Sequence, residues 1–323
     1  MTALEKALVA PKNLSVEEIA ALLESADEGL WREAFAAARE IKVRCGKTEV
    51  LPRGLIECSN VCAKNCLYCG IRKGNGKAVR YRMSEDDVRG CVDEARRRGY
   101  LAVAFQAGEI ESVANTAYYE RLTAYAKPLE VTLSLGEQKE EVYRRWKAAG
   151  AMRYLIRIET SNRELYAKIH PSECSYERRV ECMRTLKRLG YVTGSGVMIG
   201  LPGQTIDDLA RDIVFFGAEN LDMVGMGPYI PHPDSPLQTS QTSQTFQTSL
   251  RMLALTRLYL WDVNIVAATA LEALDPENGR QRGIDAGANV IMPNLTPACY
   301  RDSYDLYPGK TRTLDFRRET GRA

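Results

Sequence analysis

The stretch GLIECSNVCAKNCLYCGIR (residues 54–72) runs from a short apolar segment straight into a loop with cysteines at 58, 62, 66 and 69. Residues 54–59 are the first of eight short runs rich in Val, Ile and Leu. The others lie at 101–108, 130–136, 152–160, 192–200, 221–227, 264–269 and 288–293. Charged helical stretches separate them, such as 85–99, 138–150, 175–190 and 205–219. Strict alternation of strand and helix implies parallel pairing through helical crossovers. Eight such units is the number that closes an α/β barrel of the (β/α)8 TIM type, the alternative being an open doubly wound sheet.

Outward from that frame, residues 15–45 read as two amphipathic helices. Ser15 followed by Glu18 makes a capping box, and a glycine ends the second helix. The expected organisation is an N-terminal helical cap over residues 1–50, a barrel over 51–308 and a charged tail over 309–323. The polar repeat QTSQTSQTFQTS (238–249) reads as a surface loop leading into a helix. Composition is 45% hydrophobic and 27% charged with a net charge of +2, which gives no reason to expect a nucleic-acid partner. No apolar run approaches the roughly 18 residues that span a bilayer, and the N-terminus lacks the apolar centre of a secretory leader. A cytoplasmic protein with reduced thiols is expected, and the odd count of nine cysteines argues against a full disulfide framework.

Cys62, Cys66 and Cys69 have the spacing C-x3-C-x2-C, with Tyr68 just before the last. A structural zinc site needs a fourth ligand, and the two histidines, His170 and His232, lie far from these cysteines in the chain. Three thiolates suit a 4Fe–4S cubane and leave one iron open to a small molecule. Cys58 reads as the end of the first strand. Cys45, Cys91, Cys174, Cys182 and Cys299 read as scattered thiols, those at 91 and 182 inside helices.

The cysteine spacing, the aromatic residue, the place after the first strand and the eight units together resemble the radical S-adenosylmethionine (SAM) enzymes. That resemblance implies one 4Fe–4S cluster on Cys62, Cys66 and Cys69. It also implies SAM bound at the open iron and reductive cleavage to a 5′-deoxyadenosyl radical. It assigns the end of FQAGE (105–109), Gly108 and Glu109, to the methionine amino group, with Tyr68 beside the cluster. Arg157 and Glu159 alternate on one strand, so both face the same side. Glu159 is expected on the cofactor, and Arg157 on a substrate carboxylate in a bidentate grip. Arg178 is expected to clamp the cofactor carboxylate, and Tyr304 to reach it from the far side. Thr132, Ser134 and Thr269 are expected to line the cavity.

Further stretches extend the resemblance over residues 51 to 310. They are VRYRMS (79–84), VTLSLGE (131–137), GLPGQTIDDL (200–209), DMVGMGPYIPHPDSPL (222–237) and GANVIMPNLTP (287–297). They are similar to the HydE-type maturase family of iron-only hydrogenases, a group related to methylornithine synthase and biotin synthase. The resemblance implies a small-molecule substrate in the barrel, either an iron–cysteine precursor of the diiron cluster or an amino-acid derivative. Implied partners are a low-potential reductant such as flavodoxin or ferredoxin, and other hydrogenase maturases. Two departures stand out: Ile158 replaces a histidine and Ala268 a threonine common in the family. The residues after Lys310 contain no cysteine, so a single cluster is expected. Alternatives are a paralogous enzyme acting on another amino-acid-like substrate, such as a methylornithine-synthase-type mutase, and an iron–sulfur scaffold without catalysis.

Overall fold

The computed structural model describes residues 1–239 and 243–310. Three helices precede the sheet: α1 (Ala3–Val9), α2 (Val16–Glu24) and α3 (Glu28–Arg44). The sequence reading gave two. The helix it omitted carries the same signal as α2, because Thr2 accepts from the Glu5 N–H while Glu5 reaches back to Thr2, a second capping box. Trp31, Ala34, Ala38 and Ile41 of α3 are buried in the main core.

The chain then alternates as expected. The strands are β1 (Leu51–Pro52), β2 (Gly54–Ser59), β3 (Ala102–Ala107), β4 (Glu130–Ser134), β5 (Ala151–Leu155), β6 (Val192–Ser195), β7 (Met198–Ile199), β8 (Met223–Pro228), β9 (Asn264–Ala267) and β10 (Val290–Ile291). The intervening helices are α4 (Glu85–Arg97), α5 (Val113–Ala126), α6 (Glu140–Ala149), α7 (Arg163–Ile169), α8 (Tyr176–Arg188), α9 (Ile206–Ala218), α10 (Ser243–Leu260), α11 (Thr269–Leu274), α12 (Gly279–Asp285) and α13 (Ala298–Arg301). Among the described residues the named strands pair in parallel, in the order β1-β10-β9-β8-β6-β5-β4-β3-β2, with β7 on β8.

Only Arg53 separates β1 from β2, and only two residues separate β6 from β7, so the ten segments make eight staves. The first stave pairs with β10 through β1 and with β3 through β2. The Leu55 N–H donates to the Pro293 carbonyl and the Leu295 N–H to the Leu55 carbonyl, which closes the ring. The result is the (β/α)8 barrel with an N-terminal helical extension.

The period of two sorts the faces. Ile56, Phe105, Leu133 and Tyr154 are successive register partners, all 0% exposed, and they join Trp146 and Leu122 of the surrounding helices in one core. The next row, Glu57, Gln106 and Ser134, is polar and faces the interior at the C-terminal rim. That rim is where barrels of this kind carry chemistry.

Three boundaries differ from the sequence reading. The run 152–160 stops being a strand at Leu155, and 192–200 breaks at residues 196 and 197. A Cβ on Gly196 would sit 1.7 Å from the Gly225 carbonyl oxygen, so the backbones touch where a regular ladder would continue. Glu159 accordingly takes a left-handed φ of 66° and pairs with Val197 as an isolated bridge. The polar repeat is helical from Ser243 onward, because α10 starts there and not at residue 250; residues 240–242 lie outside the described ones. Residues 311–323 of the expected tail lie outside the described residues.

Candidate functional site

The loop after β2 is fixed by its backbone. Asn60 is fully buried. Its side-chain amide donates to the carbonyls of Val79 (2.7 Å) and Ser303 (2.6 Å), and its oxygen accepts from the Tyr81 N–H (2.7 Å). The Arg80 guanidinium donates to four carbonyls, those of Asn60, Ile71, Arg72 and Asn75. Gly108, at the end of β3, lets this loop lie against the sheet. A Cβ there would be 2.3 Å from the Val61 carbonyl oxygen and 2.7 Å from the Cys62 Cβ.

All nine cysteines are free thiols. Cys62 Sγ accepts from the backbone N–H groups of Lys64 (3.4 Å) and Glu109 (3.3 Å). Burial pushes the Cys62 thiol up and takes Cys69 to about 12, while Arg80 pulls both the other way. Cys66 shares a hydrogen bond with Cys174, which the sequence reading left among the scattered thiols. Among the described residues no three His, Cys, Asp or Glu side chains converge on one ion-sized point. A cubane does not need that, because each thiolate binds its own iron. Three soft donors on one loop, two N–H groups aimed at a sulfur, and a glycine where the loop meets the sheet fit such a cluster.

Tyr68 is held by a neutral histidine. Burial takes His170 down to about 4. Its Nδ1 lies 2.9 Å from the Tyr166 carbonyl, which can only accept, so Nδ1 carries the proton. Nε2 is then an acceptor for the Tyr68 hydroxyl at 3.1 Å, and the two rings meet edge to face.

Two carboxylates stand over the loop and diverge. Glu137, at the end of β4, is buried, and burial alone would raise its pKa. Arg179 and Lys64 outweigh that: Arg179 Nε donates at 2.5 Å and Arg178 Nε at 3.0 Å, and Glu137 stays low. Glu109 pairs, among the described residues, with Lys64 alone, at 3.2 Å, and burial raises it. Arg178, expected to clamp a cofactor, is 51% exposed, whereas Arg179 is buried and also donates to the Arg157 carbonyl. The pattern was visible in the sequence: Gly136-Glu137 repeats the strand-end Gly-Glu pair of Gly108-Glu109.

Arg157 and Glu159 do face each other. Arg157 Nε and one terminal nitrogen grip the Glu159 carboxylate at 2.9–3.0 Å, and the remaining contacts go to the carbonyls of Gly225 and Val197. Four of the five guanidinium N–H groups are thereby used. One is left, so the expected bidentate grip on a substrate carboxylate is not available in this arrangement. Thr132 is buried with its hydroxyl unpartnered among the described residues, and Ser134 is half-buried on the same face of β4. Ile158 is 0% exposed and packs in the main core. Ala268 is the N-cap residue of α11 and offers no side-chain cap.

A C-terminal strap, residues 303–310, crosses the rim. The Gly70 N–H donates to the Leu306 carbonyl, His232 meets Asp305 at 3.1 Å, and Thr269 meets the Tyr307 hydroxyl at 2.6 Å. Tyr304 is 2% exposed. Lys310 forms an ion pair with the buried Glu57, donates to the Tyr304 carbonyl at 3.2 Å and lies 4.6 Å from the centre of the Tyr304 ring. Thr269 and Tyr304 are thus brought to the rim, but against the strap. Nothing in the spacing of Lys310 announces its partner 253 residues away.

A model of the Radical SAM superfamily matches residues 56–216, the segment holding the cysteine loop, both Gly-Glu pairs and Arg179. The HydE subunit of the [FeFe] hydrogenase maturase of Thermotoga maritima is 46% identical over 294 residues, 88% of this chain and 81% of that protein. The chain belongs to the radical SAM superfamily. It is a radical SAM enzyme homologous to HydE, and the superfamily uses a 4Fe–4S cluster with SAM. A 3-methylornithine synthase of Methanosarcina barkeri is 24% identical over 84% of this chain and 76% of that one. The crystal structure of a methylornithine synthase shares the radical SAM barrel, with a TM-score of 0.82 at 21% identity, covering 98% of this chain and 93% of that one. Among the described residues no helix is long and apolar enough to cross a membrane.

Proposed function

We propose that this chain works in maturation of an [FeFe] hydrogenase, in the manner its relative's name states, with Cys62, Cys66 and Cys69 holding one 4Fe–4S cluster. The observation that carries this reading is the 46% identity to HydE across nearly the whole barrel. When bound, the cluster and SAM supply one-electron cleavage of a sulfonium carbon–sulfur bond and a radical able to abstract hydrogen.

The chain's own residues bind and orient. Glu109 and Glu159 offer carboxylates to the amino and ribose groups of SAM. Arg178, half exposed and held by Glu137, offers a guanidinium to its carboxylate. Arg157 fixes the Glu159 carboxylate and keeps one N–H for the cavity. Thr132 presents a hydroxyl unpartnered among the described residues, which a ligand oxygen would satisfy. Tyr304, Tyr307 and Lys310 cover the rim and exclude water from the barrel. The substrate is a small amino-acid-like molecule, the electrons come from a low-potential carrier, and the reducing cytoplasm keeps the thiols free.

The test has two stages. Anaerobic reconstitution should give about four irons per chain and a cubane signal, with SAM cleaved on reduction. Deleting the gene from a cell that makes an [FeFe] hydrogenase should abolish hydrogenase activity, and restoring it should recover it. Full activity after deletion would overturn the maturase role. A second reading, an amino-acid mutase, draws on the similarity to methylornithine synthase and on Ile158 and Ala268 standing where the HydE-type pattern has other residues. It requires deuterium to pass from an amino-acid substrate into 5′-deoxyadenosine.

A further inference from the structure

We infer that the outer face of the cluster loop is the docking surface for an acidic one-electron carrier protein. This rests on the proposed function, since it assigns the route by which the electron arrives. Residues 58–84 contain six cations, Lys64, Arg72, Lys73, Lys77, Arg80 and Arg82, and no Asp or Glu, in a chain whose net charge is only +2.

Two different tasks divide those cations. Arg80 is turned inward and spent on the carbonyls of Asn60, Ile71, Arg72 and Asn75, so it holds the loop and is not offered to a partner. Arg72 is spent on Asn65 and the Asp234 carbonyl, and Arg82 lies over the Tyr118 ring. Lys73 and Lys77 do neither. Both are exposed, Lys77 to 79%, and its ion pair with Asp234 is at the surface. Such a pair holds little energy and is exchanged readily.

The same loop also exposes apolar side chains. Val79 is 71% and Val61 38% exposed, and their chain segments meet where the Asn60 amide donates to the Val79 carbonyl. Ala63 is exposed on the other side of Cys62. The remaining large exposed apolar side chains, such as Val9, Val43, Leu101, Val113 and Met152, are distributed over other elements. Exposed apolar and basic side chains on one loop have the make-up of a transient interface for a partner of opposite charge.

The position gives it a purpose. Cys62 is itself half-buried, and the residues on either side of it in the chain, Val61 and Ala63, are exposed. A partner seated here is one residue of backbone from a cluster ligand. The strap that covers the barrel mouth is joined to the same loop, through Gly70 and Leu306.

The experiment compares wild type with Lys73→Glu/Lys77→Glu. Neither lysine contacts a cysteine or the proposed cofactor residues. Cluster reduction and 5′-deoxyadenosine formation are driven once by a strongly acidic reduced flavodoxin and once by photoreduced deazaflavin, a small reductant that needs no docking. Binding is read separately, from the anisotropy of the oxidised flavin titrated with the chain. The flavodoxin-driven rate and the affinity should both fall about tenfold or more at low salt, and the wild-type values should fall with added salt, as charge-steered association requires. The deazaflavin-driven rate should stay within about twofold, because the variant leaves the cluster ligands in place. Unchanged flavodoxin binding and flavodoxin-driven rate in the variant would overturn the docking surface alone. A wild type that cleaves no SAM with either reductant would overturn the proposed function and this inference together.

Discussion

The cysteine loop and the charged corner at the ends of β4 and β5 share one rim and are built in opposite ways. In the loop the main chain is pinned by Asn60 and Arg80, while the thiols that matter have few partners. In the corner the side chains are pinned to one another: Arg157 to Glu159, and Arg178 and Arg179 to Glu137. A loop of the first kind has spare coordinating capacity, and a corner of the second kind has spent most of its capacity on shape. The difference separates groups that take a ligand from groups that position them.

The largest effect should come from removing that spare capacity. Cys66→Ala should lower the iron content of the reconstituted chain at least about tenfold and abolish SAM cleavage, whereas Cys174→Ala should keep its iron within about twofold. Visible absorbance and iron analysis decide this, and an equal loss in both variants would make Cys174 a ligand.

In the corner, Arg179→Ala leaves the buried Glu137 with the half-exposed Arg178 and the more distant Lys64. It should cost about 3–5 kcal/mol in urea unfolding, as broken buried pairs do. Arg178→Ala should cost under about 1 kcal/mol of stability while weakening SAM binding. Equal costs would erase the distinction between positioning and binding arginines.

Gly108→Ala presses a methyl into the Val61 carbonyl and the Cys62 Cβ. Overpacking of that kind should cost about 1–3 kcal/mol and slow cluster incorporation.

A further effect is a pH dependence. Asp212 accepts from the Ser161 N–H, two residues beyond Glu159, and burial pushes it up to about 7 from 3.8. The folded state therefore holds this proton more tightly than the unfolded one. Stability relative to Asp212→Asn should fall as pH rises from about 4 to about 7 and then level off. Melting temperatures of the two proteins across that range would show it, and a difference independent of pH would refute it.

The cysteine triad was legible because its spacing is local in the chain, and the eight staves because Val/Ile/Leu runs recur at helix-length intervals. Helix α1 was written in Thr2 and Glu5 as plainly as α2 in Ser15 and Glu18. The break between β6 and β7 was not legible, since it follows from Gly196 meeting Gly225 on a different stave. The same holds for the corner. Period two correctly put Arg157 and Glu159 on one side, but the carbonyls that use up Arg157 come from two other staves, and Arg179 finds Glu137 across 42 residues. Local pattern supplies the ligands, while the partners that saturate or expose them are settled only by closure of the ring.

Arg157 has one more consequence. Its guanidinium starts beyond β5, reaches the Val197 carbonyl next to β7 and the Gly225 carbonyl of β8, and so ties three adjacent staves at the rim. It works as a hoop does on a cask. On that arc one side chain holds three staves at a set spacing, and the rim there resists widening.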